Sequence, residues 1–264
     1  MEKAKYAMIT GASRGLGANL AEGCARRGMN LLLLSLPEEG LEEKATVLAE
    51  EHSIDVRTFE LDLCDKEALE EVAEKINSEF EVNYLINNAG FGGARSFETT
   101  DIPYLDEMIL LNIRALVLLT RLLLSNLKKQ GGAHILNIAS MASFGPMPFK
   151  TVYPASKAFV LSFSRGLNTE LRGSGVLVST VHPGGMPTNN EVSQRIEQHG
   201  RLARSTFMSP AAVAEISIRQ SLKGKSVIIP GSMNKVSRLL FRIIPVPQQL
   251  RILRRTFIKE ASAK

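Results

Sequence analysis

Cysteine is scarce: the 264-residue chain carries only Cys24 and Cys64. Their spacing fits neither a disulfide framework nor a metal site, so the chain reads as a cytoplasmic protein with reduced thiols and no metal. A secretory signal is missing from the start, where polar Met1–Lys5 leads into an apolar stretch that ends in glycines. No Pro/Gly/Ser-rich linker, internal repeat or low-complexity tract divides the chain, which excludes a solenoid, a beaded array and a disordered scaffold. The longest oily segment, Ile109–Leu124, contains Asn112, Arg114 and Arg121, a poor composition for a membrane span and a good one for a buried helix. A nucleic-acid recognition motif is also lacking.

Charge is present but uneven. The net charge is +5, yet residues 231–264 hold eight Lys or Arg against the single acid Glu260, so that tail is +7 and the remainder −2. Hydrophobic residues make up 44% and charged residues 22%, as in an ordinary globular protein. The length permits a sizeable core without covalent staples.

Strand-length apolar runs alternate with helix-period stretches. Tyr6–Thr10, Leu31–Ser35, Val56–Glu60, Tyr84–Asn87, His134–Ile138 and Leu177–Val181 read as buried strands, with Val227–Ile229 a seventh. Helices are expected over Leu16–Arg27, Leu41–Glu51, Lys66–Glu79, Leu105–Lys129 and Ala155–Arg172. The alternation predicts βαβ units: an α/β, single-domain, Rossmann-like, doubly wound parallel sheet with helices on both faces. Residues 1–230 form that domain in this reading, and 231–264 a basic C-terminal helical extension, split into two short helices by Pro245 and Pro247.

The first strand hands over to the first helix through Thr10-Gly11-Ala12-Ser13-Arg14-Gly15-Leu16-Gly17. A diphosphate at a helix N-terminus needs backbone N–H groups facing it and no side chains in the way. Gly11, Gly15 and Gly17 remove Cβ atoms at the turn, at the phosphate and at the helix–strand contact. An NAD-binder is expected to carry an acid at the end of the second strand. Here that strand ends Leu34-Ser35-Leu36-Pro37, and Glu38 and Glu39 lie beyond the proline, where solvation is expected. Arg14 offers a guanidinium to a 2′-phosphate. The cofactor expectation is NADP(H), with NAD(H) the alternative.

Tyr153 and Lys157 are four apart, on one helix face. An ammonium beside a phenol favours the phenolate, which makes a usable acid/base for a carbonyl oxygen. Ser140 follows the fifth strand at the sheet edge where ligands bind in such folds. Asn112 is an amide inside an oily helix, costly unless partnered.

In combination these residues resemble the classical, single-domain short-chain dehydrogenases/reductases. The matching pieces are Thr10–Gly17, Asn87-Asn88-Ala89-Gly90, Asn112, Ser140, Tyr153-x-x-x-Lys157 and Pro183-Gly184-x-x-x-Thr188, over residues 4–230. The resemblance implies that Tyr153 is the acid/base, that Lys157 lowers its pKa and binds the nicotinamide ribose, that Ser140 orients the carbonyl and that Asn112 holds a water leading to Lys157. It implies cofactor contacts from Gly11, Ser13, Arg14, Gly15, Leu16, Gly17, Ser35, Asp62, Leu63, Asn88, Ala89, Gly90, Pro183, Gly184, Met186 and Thr188. One departure is Leu36, where members that prefer NADP often carry arginine.

Phe91, Met141 and Phe149 give the substrate region, which includes the segment from Asn189 to Met208, an oily bias. A hydrophobic ketone such as a 3-oxoacyl, sphingoid or steroid compound is expected, in a homodimer or homotetramer. The tail alternates apolar with basic residues, which suits either an anionic membrane surface, peripheral at its inner face, or a cover over the cleft. The rival readings are a non-enzymatic NADP(H) sensor, which would need no Tyr153–Lys157 pair, and an extended-type nucleotide-sugar epimerase, which usually has another glycine spacing.

Overall fold

A computed structural model describes residues 4–186 and 206–261, the side chains of 259–261 excepted. Seven parallel strands form one sheet in the order β3-β2-β1-β4-β5-β6-β7: β1 Lys5–Thr10, β2 Asn30–Ser35, β3 Val56–Glu60, β4 Glu81–Asn87, β5 Ala133–Ile138, β6 Val176–Val181 and β7 Val227–Ile228. The helices are α1 Gly15–Ala25, α2 Leu41–His52, α3 Lys66–Glu79, α4 Ile102–Ile109, α5 Leu116–Lys129, α6 Val152–Glu170, α7 Pro210–Ser221, α8 Ser232–Ile243 and α9 Val246–Ala261. This is the expected doubly wound architecture.

The leucine run of β2 explains why. Leu31, Leu32, Leu33 and Leu34 are all buried, which requires cover on both faces. Leu31 and Leu33 pack with Leu20, Leu41 and Ile218 under α1, α2 and α7. Leu32 and Leu34 pack with Leu69, Ile76, Leu119 and Leu123 under α3 and α5. The chain leaves β1 toward β2 on one side and returns to β4 on the other, so α1 and α5 depart to opposite faces. A crevice opens between the C-terminal ends of β1 and β4.

Three expectations shift. The helix expected over Leu105–Lys129 is α4, a widened turn at Leu110–Ala115 with i→i+5 bonding, and α5. Helix α7 was not anticipated, although its start is written in Ser209-Pro210: the Ser209 hydroxyl accepts from Ala212 N, 3.2 Å. Pro245 does separate the tail helices, but Pro247 is the second residue of α9, where a missing N–H costs nothing.

The stretch Ile102–Lys129 is long and apolar enough to cross a membrane by length and composition. Its inward stripe of Ala115, Leu119, Leu123 and Leu127 is buried against the sheet. Leu123→Ala is expected to cost about 2–5 kcal/mol, the usual penalty for such a cavity, read as a lowered urea midpoint with unchanged slope.

Candidate functional site

The glycine loop takes the form its sequence requires. Gly11 and Gly15 have φ of +64° and +58°, a left-handed backbone that disfavours side chains. A Cβ on Gly17 would lie 1.8 Å from the Gly11 carbonyl oxygen, so only glycine lets α1 start this close to the loop. Asn88 binds the loop from β4. Its Nδ2 donates to Thr10 O (2.9 Å) and Gly11 O (3.1 Å), and the Thr10 hydroxyl accepts from Asn88 N and Ala89 N, both 3.0 Å. The result is a cradle open at the α1 N-terminus, with glycines at the approach, which fits a dinucleotide diphosphate.

Of the two acids expected to be solvated, Glu38 is exposed and Glu39 is not. Glu39 reaches back to the loop, where it pairs with Arg14 at 3.1 Å and accepts from the buried Ser13 hydroxyl. Lys44, from the first turn of α2, donates to the Ser13 carbonyl. Sequence separation hid this cluster; β2 and α2 bring it to the loop. Ser35 donates to the Leu36 carbonyl (2.9 Å) and stays buried. Asp62 is exposed and accepts from Cys64 N (2.8 Å), and Leu63 is packed in the core.

On the other side of the crevice, Tyr153 sits in the first turn of α6 and Lys157 one turn on. The Tyr153 hydroxyl is hydrogen-bonded to the Ser140 side chain. Lys157, 5% exposed, donates to Ile138 O (3.1 Å), and burial pulls its ammonium down to about 8. The expected lowering of the tyrosine by lysine is not met: enclosure of the phenol raises the Tyr153 pKa, and Ser140 opposes that rise. The ammonium points to the Ile138 carbonyl, 5.9 Å from the ring centroid, and burial outweighs its influence.

Asn112, in the widened turn, is fully partnered. Its Oδ1 accepts from Phe91 N (3.0 Å), and its Nδ2 donates to Phe91 O (2.9 Å) and Ser156 Oγ (3.1 Å). A Cβ on Gly90 would lie 2.6 Å from Asn112 Oδ1 and 3.1 Å from Lys157 Nζ, so these three expected site residues do converge.

Some contributors escaped the sequence reading. A Cβ on Gly92 would lie 2.2 Å from the Tyr153 ring, so Gly92 is the floor on which that ring rests. His182 Nδ1 lies 2.8 Å from Ser143 Oγ and 3.1 Å from Ser140 O, which holds the Ser140 loop. Burial takes His182 down to about 4, so it is a neutral strut. Asn234 of α8 abuts Gly184 and donates to Pro230 O (2.8 Å) and Thr206 O (3.1 Å), which fastens the tail to the Pro183-Gly184 turn. For His182 and Asn234 the sequence signal is a polar residue close to a glycine turn, at Gly184 and Gly231.

A cleft lined by Gly93, Arg95, Tyr104, Met108, Phe149, Val152 and Tyr153 opens onto the tyrosine. Of the expected substrate residues, Phe149 lines it, and Phe91 packs edge-on against Tyr104 at 5.2 Å. Met141 lies in the short helix Met141–Phe144 and does not line it. Met186 packs on the core, and Pro183 O accepts from Met141 N (2.9 Å). Thr188 and the segment 187–205 lie outside the described residues.

The family model for short chain dehydrogenases matches residues 5–199. The chain belongs to the short-chain dehydrogenase family. It is 34% identical over 182 residues to a very-long-chain 3-oxoacyl-CoA reductase of Anas platyrhynchos, covering 67% of this chain and 58% of that protein. An uncharacterized oxidoreductase of Staphylococcus saprophyticus is 34% identical over 70% of this chain and 79% of its own length. Among solved structures, a short-chain dehydrogenase from Sphingobium yanoikuyae in complex with NADPH superposes with a TM-score of 0.77 at 28% identity, covering 92% of this chain and 96% of that one. The chain thus spans somewhat more than half the length of the first of these relatives.

The clamp at Asn88 is the joint of this family site. Asn88→Ala leaves two crowded carbonyls without their donor and is expected to cost about 1–3 kcal/mol, read as a lower thermal midpoint.

Proposed function

We propose that this short-chain dehydrogenase is an NADP(H)-dependent oxidoreductase that interconverts a hydrophobic ketone and its secondary alcohol, with Tyr153 as general acid/base. The observation that carries the reading is Tyr153, which lines the cleft with its hydroxyl bonded to Ser140 and with Lys157 buried one turn behind it. When bound, the nicotinamide supplies or accepts the hydride. Tyr153 gives its proton to the oxygen that becomes the alcohol, and Ser140 holds that oxygen beside it. Lys157 takes the ribose side, and Asn112 keeps the Gly90–Phe91 strip in register with it. Gly11–Gly17, Asn88–Gly90, Asp62 and the Pro183–Met186 turn carry the remaining cofactor contacts, with Thr188 beyond them. Similarity to a very-long-chain 3-oxoacyl-CoA reductase supports an oily substrate. Residues 1–230 are the catalytic body in this proposal, and 231–264 an extension docked on it. The outer faces of α5 and α6 serve self-association.

NADPH consumption by the full chain against 3-oxoacyl thioesters, 3-ketosphinganine, steroid ketones and short polar ketones tests the reaction. Turnover on one oily class is expected. Tyr153→Phe is expected to abolish it, with NADPH binding retained; turnover in that variant near the wild-type rate sinks the assignment. Because Lys157 gives up its proton near pH 8 and Tyr153 keeps its own to higher pH, kcat/KM for reduction is expected to fall as pH rises through about 8.

The Arg14–Glu39 pair generates a cofactor prediction. Glu39 occupies the guanidinium that a 2′-phosphate would need. Glu39→Gln is expected to tighten NADP+ binding severalfold with NAD+ unchanged. Arg14→Ala is expected to weaken NADP+ by roughly tenfold or more, the scale of one charge-assisted bond. Titration calorimetry reads both; equal effects on the two cofactors would refute the placement.

A further inference from the structure

Helix α8 is built inside out. Its inward side carries the polar Asn234, which is buried, and Arg238, whose guanidinium stacks 4.3 Å from the Phe144 ring centroid. Its outward side carries Val236, Leu239, Leu240 and Ile243, which at i, i+3, i+4 and i+7 form one stripe, 47%, 60%, 55% and 73% exposed. Val246 and Ile252 extend the exposed apolar surface onto α9. An amphipathic helix in a globular protein normally turns such a stripe inward, and a contiguous exposed one marks an interaction surface.

Charge selects the occupant. Lys235 and Arg242 border the stripe, and Arg251, Arg254 and Arg255 stand exposed on α9. Against them the whole of 231–264 offers one acid, Glu260. A second copy seated here would oppose two +7 segments, an unfavourable meeting of like charges. An apolar stripe rimmed by lysine and arginine instead matches the interface of an anionic bilayer, which attracts each basic residue near its surface.

We infer that α8 and α9 form a docking face for an anionic lipid surface. The face borders the cleft: Phe257 of α9 lies under Lys150 at 4.3 Å, and Gln249 packs beside Gly145, both in the segment that leads to Tyr153. A membrane-dissolved ketone would therefore reach the cleft from the docked side. That corollary rests on the proposed reaction, while the docking itself does not.

The test is co-sedimentation of the full chain with phosphatidylcholine vesicles, with and without phosphatidylglycerol. Binding to the anionic vesicles is expected, weakened by high salt. Leu239→Glu/Ile243→Glu is expected to leave the protein in the supernatant, with its thermal midpoint and NADPH affinity kept. Arg251→Gln/Arg254→Gln/Arg255→Gln is expected to remove the preference for anionic lipid. Wild-type protein that stays in the supernatant with both vesicles overturns the inference, as does equal binding by the glutamate variant. So does light scattering that shows a dimer dissolved by that variant without vesicle binding, which would assign the face to a second copy. Failure of the ketone assay would leave these outcomes unchanged, so the two readings fall separately.

Discussion

Asn88 donates through one amide to two carbonyls, those of Thr10 and Gly11, across the gap where the strand order reverses. β1 and β4 are hydrogen-bonded only up to their C-terminal ends, and beyond them the chain departs to opposite faces. Without a tie at that point, the glycine loop would have no fixed distance to the β4 exit. With it, Gly11 is held within a Cβ's reach of Ala89, and α1 presents its N-terminus at a defined place. The strip that follows, Gly90 to Gly92, then runs under Lys157 and Tyr153. One side chain thus sets the glycine loop relative to the strip beneath Tyr153 and Lys157.

The second constraint is the burial of Lys157. An ammonium this enclosed is costly, and only the Ile138 carbonyl among its described hydrogen-bond partners offsets the cost. Polar side chains around it bond one another, although the buried Asn87 Oδ1 has no hydrogen-bond partner among the described residues. Asn112 is used up by Phe91 and Ser156, and Asn87, Asn137, Thr120 and Ser164 form a separate buried chain between the sheet and α5 and α6. These networks rigidify the scaffold around Lys157 and Tyr153.

The tail adds a third theme, a conflict between local pattern and placement. α8 has strong amphipathic periodicity, yet Asn234 and Arg238 face the body because Gly184 and Phe144 give them partners there. The apolar stripe is left outside by the same choice. A sequence pattern says that a helix has two faces, and only docking says which one the protein keeps.

By itself the sequence determined the sheet. Buried runs such as Leu31–Leu34 call for a strand covered on both faces, and the glycine and Asn88 motifs sit at strand ends that periodicity locates, with Tyr153 and Lys157 one turn apart at the start of α6. Element edges moved by one to three residues, because end residues such as Lys5 and Glu81 contribute ladder bonds without apolar side chains. Tertiary structure alone decided the rest. It brought Glu39 to Arg14 across the loop between β2 and α2, opened α4–α5 into a wide turn around Asn112, seated Tyr153 on Gly92 and turned the Lys157 ammonium toward Ile138. Each of these depends on distances between residues far apart in the chain, and on whether burial or a neighbouring charge prevails at one atom. Periodicity and spacing carry no information about either.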